Sequence, residues 1–141
     1  MSVTSLLIPV FVEVALTFVL MVWMWSQRVK ALKSGEVKFS DIDLRQPGWP
    51  KRATQIANSY HNQLEVPLLF YVLIALVLIT RVTSVLLVVL AWAFVATRLV
   101  HAYIHTGSND VRSRFQAMMA GVIILGAMWV IFAVHIFAVV S

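Results

Sequence analysis

Apolar residues run almost unbroken through four stretches of the chain, residues 6–25, 66–80, 82–97 and 117–140. The first and last are long enough to cross a bilayer as helices. The middle two are not: as helices they rise about 22 and 24 Å, against a hydrocarbon core of about 30 Å. Polar residues must therefore complete both, residues 60–65 ahead of the second stretch and residues 98–105 after the third. This pattern predicts membrane helices over about residues 5–33, 53–80, 83–105 and 110–139, with a polar loop over about 34–52. The implied fold class is all-α, a four-transmembrane-helix bundle forming one domain over residues 1–141.

Local signals mark the joints. Ser34-Gly35 closes the first helix, and Pro47-Gly48-Trp49-Pro50 makes a turn whose Trp can anchor at an interface. Pro67 sits inside the predicted second helix, where it removes one backbone hydrogen bond and frees the Gln63 carbonyl, so a bend is expected there. Arg81 and Thr83-Ser84 form a connection so short that the second and third helices should be antiparallel neighbours facing each other for much of their length. Thr106-Gly107-Ser108-Asn109-Asp110 supplies a turn and capping residues before the fourth helix.

Composition strengthens the membrane reading. Of 141 residues 61% are hydrophobic, and the mean hydropathy is +0.90. A net charge of +5 would suggest nucleic acid as a partner for a soluble protein. Here Arg28, Lys30, Lys33, Lys38, Arg45, Lys51 and Arg52 lie in or beside one loop, opposed only by Glu36, Asp41 and Asp43, which is the signature of a cytoplasmic loop. No nucleic acid partner is expected. Both termini then lie outside, in the periplasm of a bacterial inner membrane if the source is a bacterium. The first stretch lacks the basic flank and small-residue cleavage site of a signal peptide and reads as a retained helix. Cysteine is absent, so any thiol chemistry needs a thiol carried by a ligand.

Polar residues inside the spans carry the functional question. Glu13 lies in the outer half of the first span and His135 in the outer half of the fourth; a hydrogen-bonded Glu13, with Thr17 one turn on, or a Glu13–His135 pair satisfies both chemically. At the cytoplasmic end the second helix places Asn58, Asn62 and Glu65 within an arc of about 60°, with Gln55 slightly beyond, and the third places Arg98, His101 and His105 in a similar arc. Matching depths pair Glu65 with Arg98, Asn62 with His101 and Asn58 with His105. Four readings of this ladder stand side by side. It can fasten two helices, since polar side chains do so in membranes. His101-x-x-x-His105 with Glu65 can make a metal site, although no further ligand lies near. A small channel is disfavoured because the polar residues gather at one face. The fourth is a carboxylate-bearing ligand held by Arg98, Arg112, Arg114 and the start of the fourth helix, with Glu65 receiving an ammonium and an apolar co-substrate arriving from the bilayer.

Asn62-x-x-Glu65-x-Pro67, preceded by Gln55 and Asn58 and followed by Arg98-x-x-His101-x-x-x-His105 and an Arg-rich start to the fourth helix, resembles the MAPEG family, membrane-associated proteins of eicosanoid and glutathione metabolism. The stretch from His101 to Asn109 is most similar to the bacterial branch. The resemblance implies a homotrimer with glutathione as co-substrate, bound between subunits near the cytoplasmic face. By the motif, Asn58, Asn62 and Glu65 would contact glutathione, with Arg98 and His101 positioning it. Arg114, or else Arg112, would hold the sulfur as thiolate, assisted by His105. The thiolate would attack a lipophilic electrophile or reduce a lipid hydroperoxide, as a transferase or peroxidase. Two departures stand out: His105 and Met118 occupy positions where well-studied members carry tyrosine. The other reading of the resemblance is a non-catalytic member that binds a lipid or a partner protein and keeps the ladder for assembly.

Overall fold

The computed structural model describes residues 2–42, 48–82 and 84–140. Asp43, Arg45, Pro47 and Thr83, to which the sequence assigns parts of the loop and turns, lie outside the described residues. Among these residues five α-helices follow in order: α1 (Val3–Lys33), α2 (Lys51–Asn62), α3 (Val66–Ile79), α4 (Val85–Thr106) and α5 (Val111–Val140). A 3₁₀ turn, Phe39–Asp41, lies between α1 and α2. Four segments are long and apolar enough to cross a membrane: Val3–Lys33, Lys51–Ile79, Val85–Thr106 and Val111–Val139. The chain is thus an all-α, multi-pass membrane protein.

Backbone hydrogen bonding explains why only helices cross. Lipid offers no partner to an unpaired N–H or C=O, so each span satisfies its own. Pro67 tests this rule, because it has no N–H to give. A continuous, bent second helix was expected; the structure instead ends α2 at Asn62 and restarts α3 at Val66 with Pro67 in its first turn. Between them the chain tightens into i−3 bonds: Gln63 N–H to Tyr60 O at 3.0 Å, Leu64 N–H to His61 O at 3.0 Å and Leu68 N–H to Glu65 O at 3.1 Å. A tightened turn of this type re-aims the side chains on either side of it.

The core lies where one face of each helix turns inward. On α4 the buried stripe begins as Leu87, Ala91, Phe94 and Val95, then continues on the same face as Arg98, His101, Ala102 and His105. One helix face is therefore oily toward Val85 and polar toward Thr106. The buried residues of α1 are Leu6, Pro9, Glu13, Leu20 and Ala31, and those of α3 are Pro67, Phe70, Leu73, Ile74 and Val77. Gly121, Leu125, Met128 and Phe132 form the inward stripe of α5. Phe70 stacks on Phe94 with ring centroids 4.7 Å apart. Outward positions such as Phe11, Phe18, Leu68, Val100 and Ile123 are exposed and apolar, as suits helices solvated by lipid.

The second and third spans are neighbours, as the short connection implies, with their closest backbone approach at α2 and α4. α4 packs most extensively on α5 and next on α1, whereas the α3 backbone approaches α1 and α5 rather than running along α4. On the second span α4 meets the α2 backbone and, through the Phe70–Phe94 stack, the side chains of α3. The break at residues 63–65 permits this, since its two halves need not share one axis. Gly121 sets the α4–α5 spacing: a β-carbon there would lie 2.8 Å from Thr97 Oγ1.

Candidate functional site

Arg98 is the largest fully buried side chain and the hub of the bundle. A guanidinium cannot shed its charge, so in a low-dielectric interior it needs acceptors around its fork. Its Nε lies 3.9 Å from Glu13 Oε1, and Nη2 donates to Asn62 Oδ1 at 2.6 Å and to the Asn62 carbonyl at 3.4 Å. Nη1 reaches Met118 Sδ at 3.7 Å. With its amide nitrogen turned toward Glu13, the orientation its neighbours favour, Gln63 bridges the same group, donating to Glu13 Oε1 at 2.7 Å and accepting from Arg98 Nη2 at 3.2 Å.

This network corrects the ladder. Glu65 is exposed and does not pair with Arg98; the acidic partner is Glu13, from a different helix. Glu13 pairs with neither of its expected mates. Thr17 Oγ1 donates to the Glu13 backbone carbonyl at 3.1 Å, and His135 is exposed with Nδ1 2.8 Å from Ile131 O on its own helix. Asn58 is exposed, so it does not meet His105, while Asn62 is taken by Arg98 rather than His101. Gln55 is spent on helix capping: it donates to the carbonyls of His105 at 2.9 Å and Gly107 at 3.0 Å, and Arg52 donates to Thr106 O. Those carbonyls are among the ones α4 leaves unpaired at its C-terminus.

Beyond the network, four of the residues singled out in the sequence share one cavity. Asn62, His101, His105 and Arg114, with Val111, Phe115 and Met118, line a space of about 250 Å³. His101 and His105 meet edge to face, centroids 5.4 Å apart, and Nδ1 of each is buried without a hydrogen-bond partner. Arg112 and Glu65 are exposed and line no part of it.

The turn before α5 aims Arg114. Asn109 adopts a left-handed conformation, φ 53°, which asparagine tolerates better than most residues, and its N–H bonds Ile104 O at 2.7 Å. Its side-chain oxygen accepts from Arg114 Nη1 at 2.6 Å. Asp110 caps α5, accepting from Ser113 N–H at 2.9 Å and Ser113 Oγ at 2.6 Å. These Ser113 bonds favour the ionised form and hold the Asp110 carboxyl below its ordinary range. Among the described residues no carboxylate pairs with Arg114, whereas Arg98 is balanced by Glu13. The cavity therefore carries one uncompensated cation and favours an anion. Among the described residues no three metal-ligating side chains converge, since Glu65 stands apart from the histidines.

Glu13, Gln63 and Asn109 were not assigned to the site from the sequence. Glu13 and Gln63 were readable in principle. Leu6, Glu13 and Leu20 recur every seven residues on α1, and Ile56, Ser59 and Gln63 follow the i, i+3, i+7 rule on α2, which sets both polar side chains on buried stripes. No individual curated protein and no solved structure matches the chain. The family model described as the MAPEG family matches residues 6–134, through all four spans and every residue of the cavity, and the chain belongs to that family.

Proposed function

We propose that the chain is a glutathione-dependent membrane transferase or peroxidase and that Arg114 holds the glutathione sulfur as thiolate. The observation that carries this reading is the convergence of Asn62, His101, His105 and Arg114 on one cavity whose charge is that of Arg114 alone. Family membership supports it, since MAPEG proteins are glutathione-dependent enzymes or non-catalytic relatives.

A cation close to sulfur favours the thiolate over the thiol, and the thiolate is the nucleophile. His105 stands on the wall, where its imidazole N–H can donate a hydrogen bond to the thiolate. In conjugation the sulfur forms a bond to an electrophilic carbon, and the leaving group departs with its electron pair. In peroxide reduction the sulfur takes the distal oxygen, an alcohol is released, and a second glutathione converts the sulfenic acid to disulfide and water. The apolar rim of Val111, Phe115 and Met118 faces lipid-soluble substrates.

At about 250 Å³ the cavity lies below the roughly 300–1,000 Å³ usual for small-molecule clefts. A homotrimer would enlarge it at a subunit boundary, where the exposed Glu65, Asn58 and Arg112 would join the ligand. In this reading the cavity faces the cytoplasm, beside the basic loop. Titration calorimetry of the purified protein with glutathione tests the proposal, followed by turnover with an aryl halide and a lipid hydroperoxide. Saturable binding with either turnover supports it. No binding at millimolar glutathione contradicts it and leaves the non-catalytic, lipid-binding reading.

A further inference from the structure

The cavity wall is built by α2, α4 and α5; α1 contributes no residue to it. Yet α1 places a carboxyl group on its buried stripe, about 15 Å along the helix from Val3, where leucine would pack more cheaply. Glu13 is 0% exposed, and its Oε2 has no hydrogen-bond partner. Polar bonds between membrane helices return little stability, so fastening α1 to the bundle is a weak reason for a carboxylate here.

What Glu13 touches suggests another role. It faces Arg98 on the Nε side at 3.9 Å and receives the Gln63 amide at 2.7 Å. The same guanidinium delivers Nη2 to Asn62 Oδ1, and Asn62 lines the cavity. Gln63 and Asn62 are adjacent residues at the α2–α3 break. The planar fork of Arg98 thus transmits orientation from a residue outside the cavity to one on its wall.

We infer that Glu13 is a positioning residue of the ligand site: it fixes the Arg98 guanidinium, which in turn fixes Asn62 and the turn of residues 62–65 against the cavity. The part of this inference that concerns ligand affinity rests on the glutathione reading above; the part that concerns the turn does not. Without the carboxylate the guanidinium loses its charge partner and the Gln63 amide its acceptor, so both shift toward the groups that remain and carry Asn62 off its place on the wall.

A double-mutant cycle with two readouts tests this on the intact protein. Glu13→Gln and Arg98→Gln should each weaken glutathione binding about tenfold, as a displaced Asn62 gives up about one hydrogen bond to the ligand. The two effects should be clearly less than additive, because Glu13 acts chiefly through Arg98 and the Gln63 amide that bridges them. Ultraviolet absorbance of bound glutathione should show the thiolate fraction unchanged at saturation, since Arg114 sets it. Hydrogen exchange at the amides of residues 62–65 should quicken in Glu13→Gln while the Leu125–Phe132 portion of α5 keeps its protection. If Glu13→Gln does not fold, Glu13→Asp, which keeps the charge on a shorter stem, takes its place and should show the same pattern at smaller size. Additive effects, or unchanged exchange at residues 62–65, overturn the inference. Failure of the wild type to bind glutathione refutes the proposed function instead, and exchange at residues 62–65 then decides the role of Glu13.

Discussion

Gly121 fixes how closely the two principal walls of the cavity approach, and its replacement by leucine should push them apart. α4 carries His101 and His105, α5 carries Arg114 and Met118, and Gly121 lies two turns beyond Arg114. A β-carbon at this position would meet Thr97 Oγ1 at 2.8 Å and Phe94 Cε2 at 3.7 Å. For Gly121→Ala two effects oppose. Helix propensity favours alanine by about 1 kcal/mol. Relief of the clash requires Thr97 to turn away and give up its 2.6 Å bond to the Phe94 carbonyl, a loss of about 1 kcal/mol. The variant should therefore lie within about 1 kcal/mol of wild type. Leucine adds further carbons against Phe94 with no compensating gain, and overpacking of this kind costs about 1–3 kcal/mol. Reversible unfolding in mixed detergent measures both. In a Thr97→Ala background the clash disappears, so Gly121→Ala should become stabilising. Leucine at residue 121 with undiminished stability, or alanine equally neutral in both backgrounds, would refute the close-approach account.

Three further outcomes follow from the turns and caps around the cavity. Gln55→Ala should destabilise the protein by about 2 kcal/mol, from two lost bonds at about 1 kcal/mol each, and quicken exchange in the last turn of α4. Asn109→Ala should raise the glutathione dissociation constant several-fold, because the left-handed turn and the bond that aims Arg114 are lost together; calorimetry reads this directly. Asp110→Ala should be less stable than wild type at neutral pH, and the gap should close on acidification. The sign follows from a folded-state carboxyl held low by Ser113: its contribution is present above the unfolded value and disappears as pH falls through the folded one. Detergent unfolding across that range measures the gap, and one that persists in acid contradicts the cap.

The four spans were legible because hydrophobic run length alone dictates them. The shortfall of residues 66–80 and 82–97 calls for polar residues in both spans; the long apolar segments Lys51–Ile79 and Val85–Thr106 include them, and Asn62, His101, His105 and Arg114 line one cavity. What misled was register. Depths counted from the helix ends matched Glu65 with Arg98 and left Glu13 in the outer half. Helix tilt and the α2–α3 break are absent from such a count, and α1, at 31 residues, is longer than a perpendicular crossing requires. The sequence predicts a bend at Pro67, but the i−3 bonds through residues 63–68 make it a break, and this aims Gln63 rather than Glu65 toward Arg98. The second and third spans are neighbours as the short connection implies, meeting through Gln55–His105, Asn62–Arg98 and Phe70–Phe94.

Ultraviolet difference absorbance of glutathione on the purified protein tests the central claim most directly. Wild-type protein should show a saturable thiolate band at neutral pH, where free glutathione is mostly thiol. In Arg114→Ala the band should vanish even when glutathione is bound, while Arg112→Ala should retain it. A wild-type spectrum without the band, or a band that survives the loss of Arg114, contradicts the account.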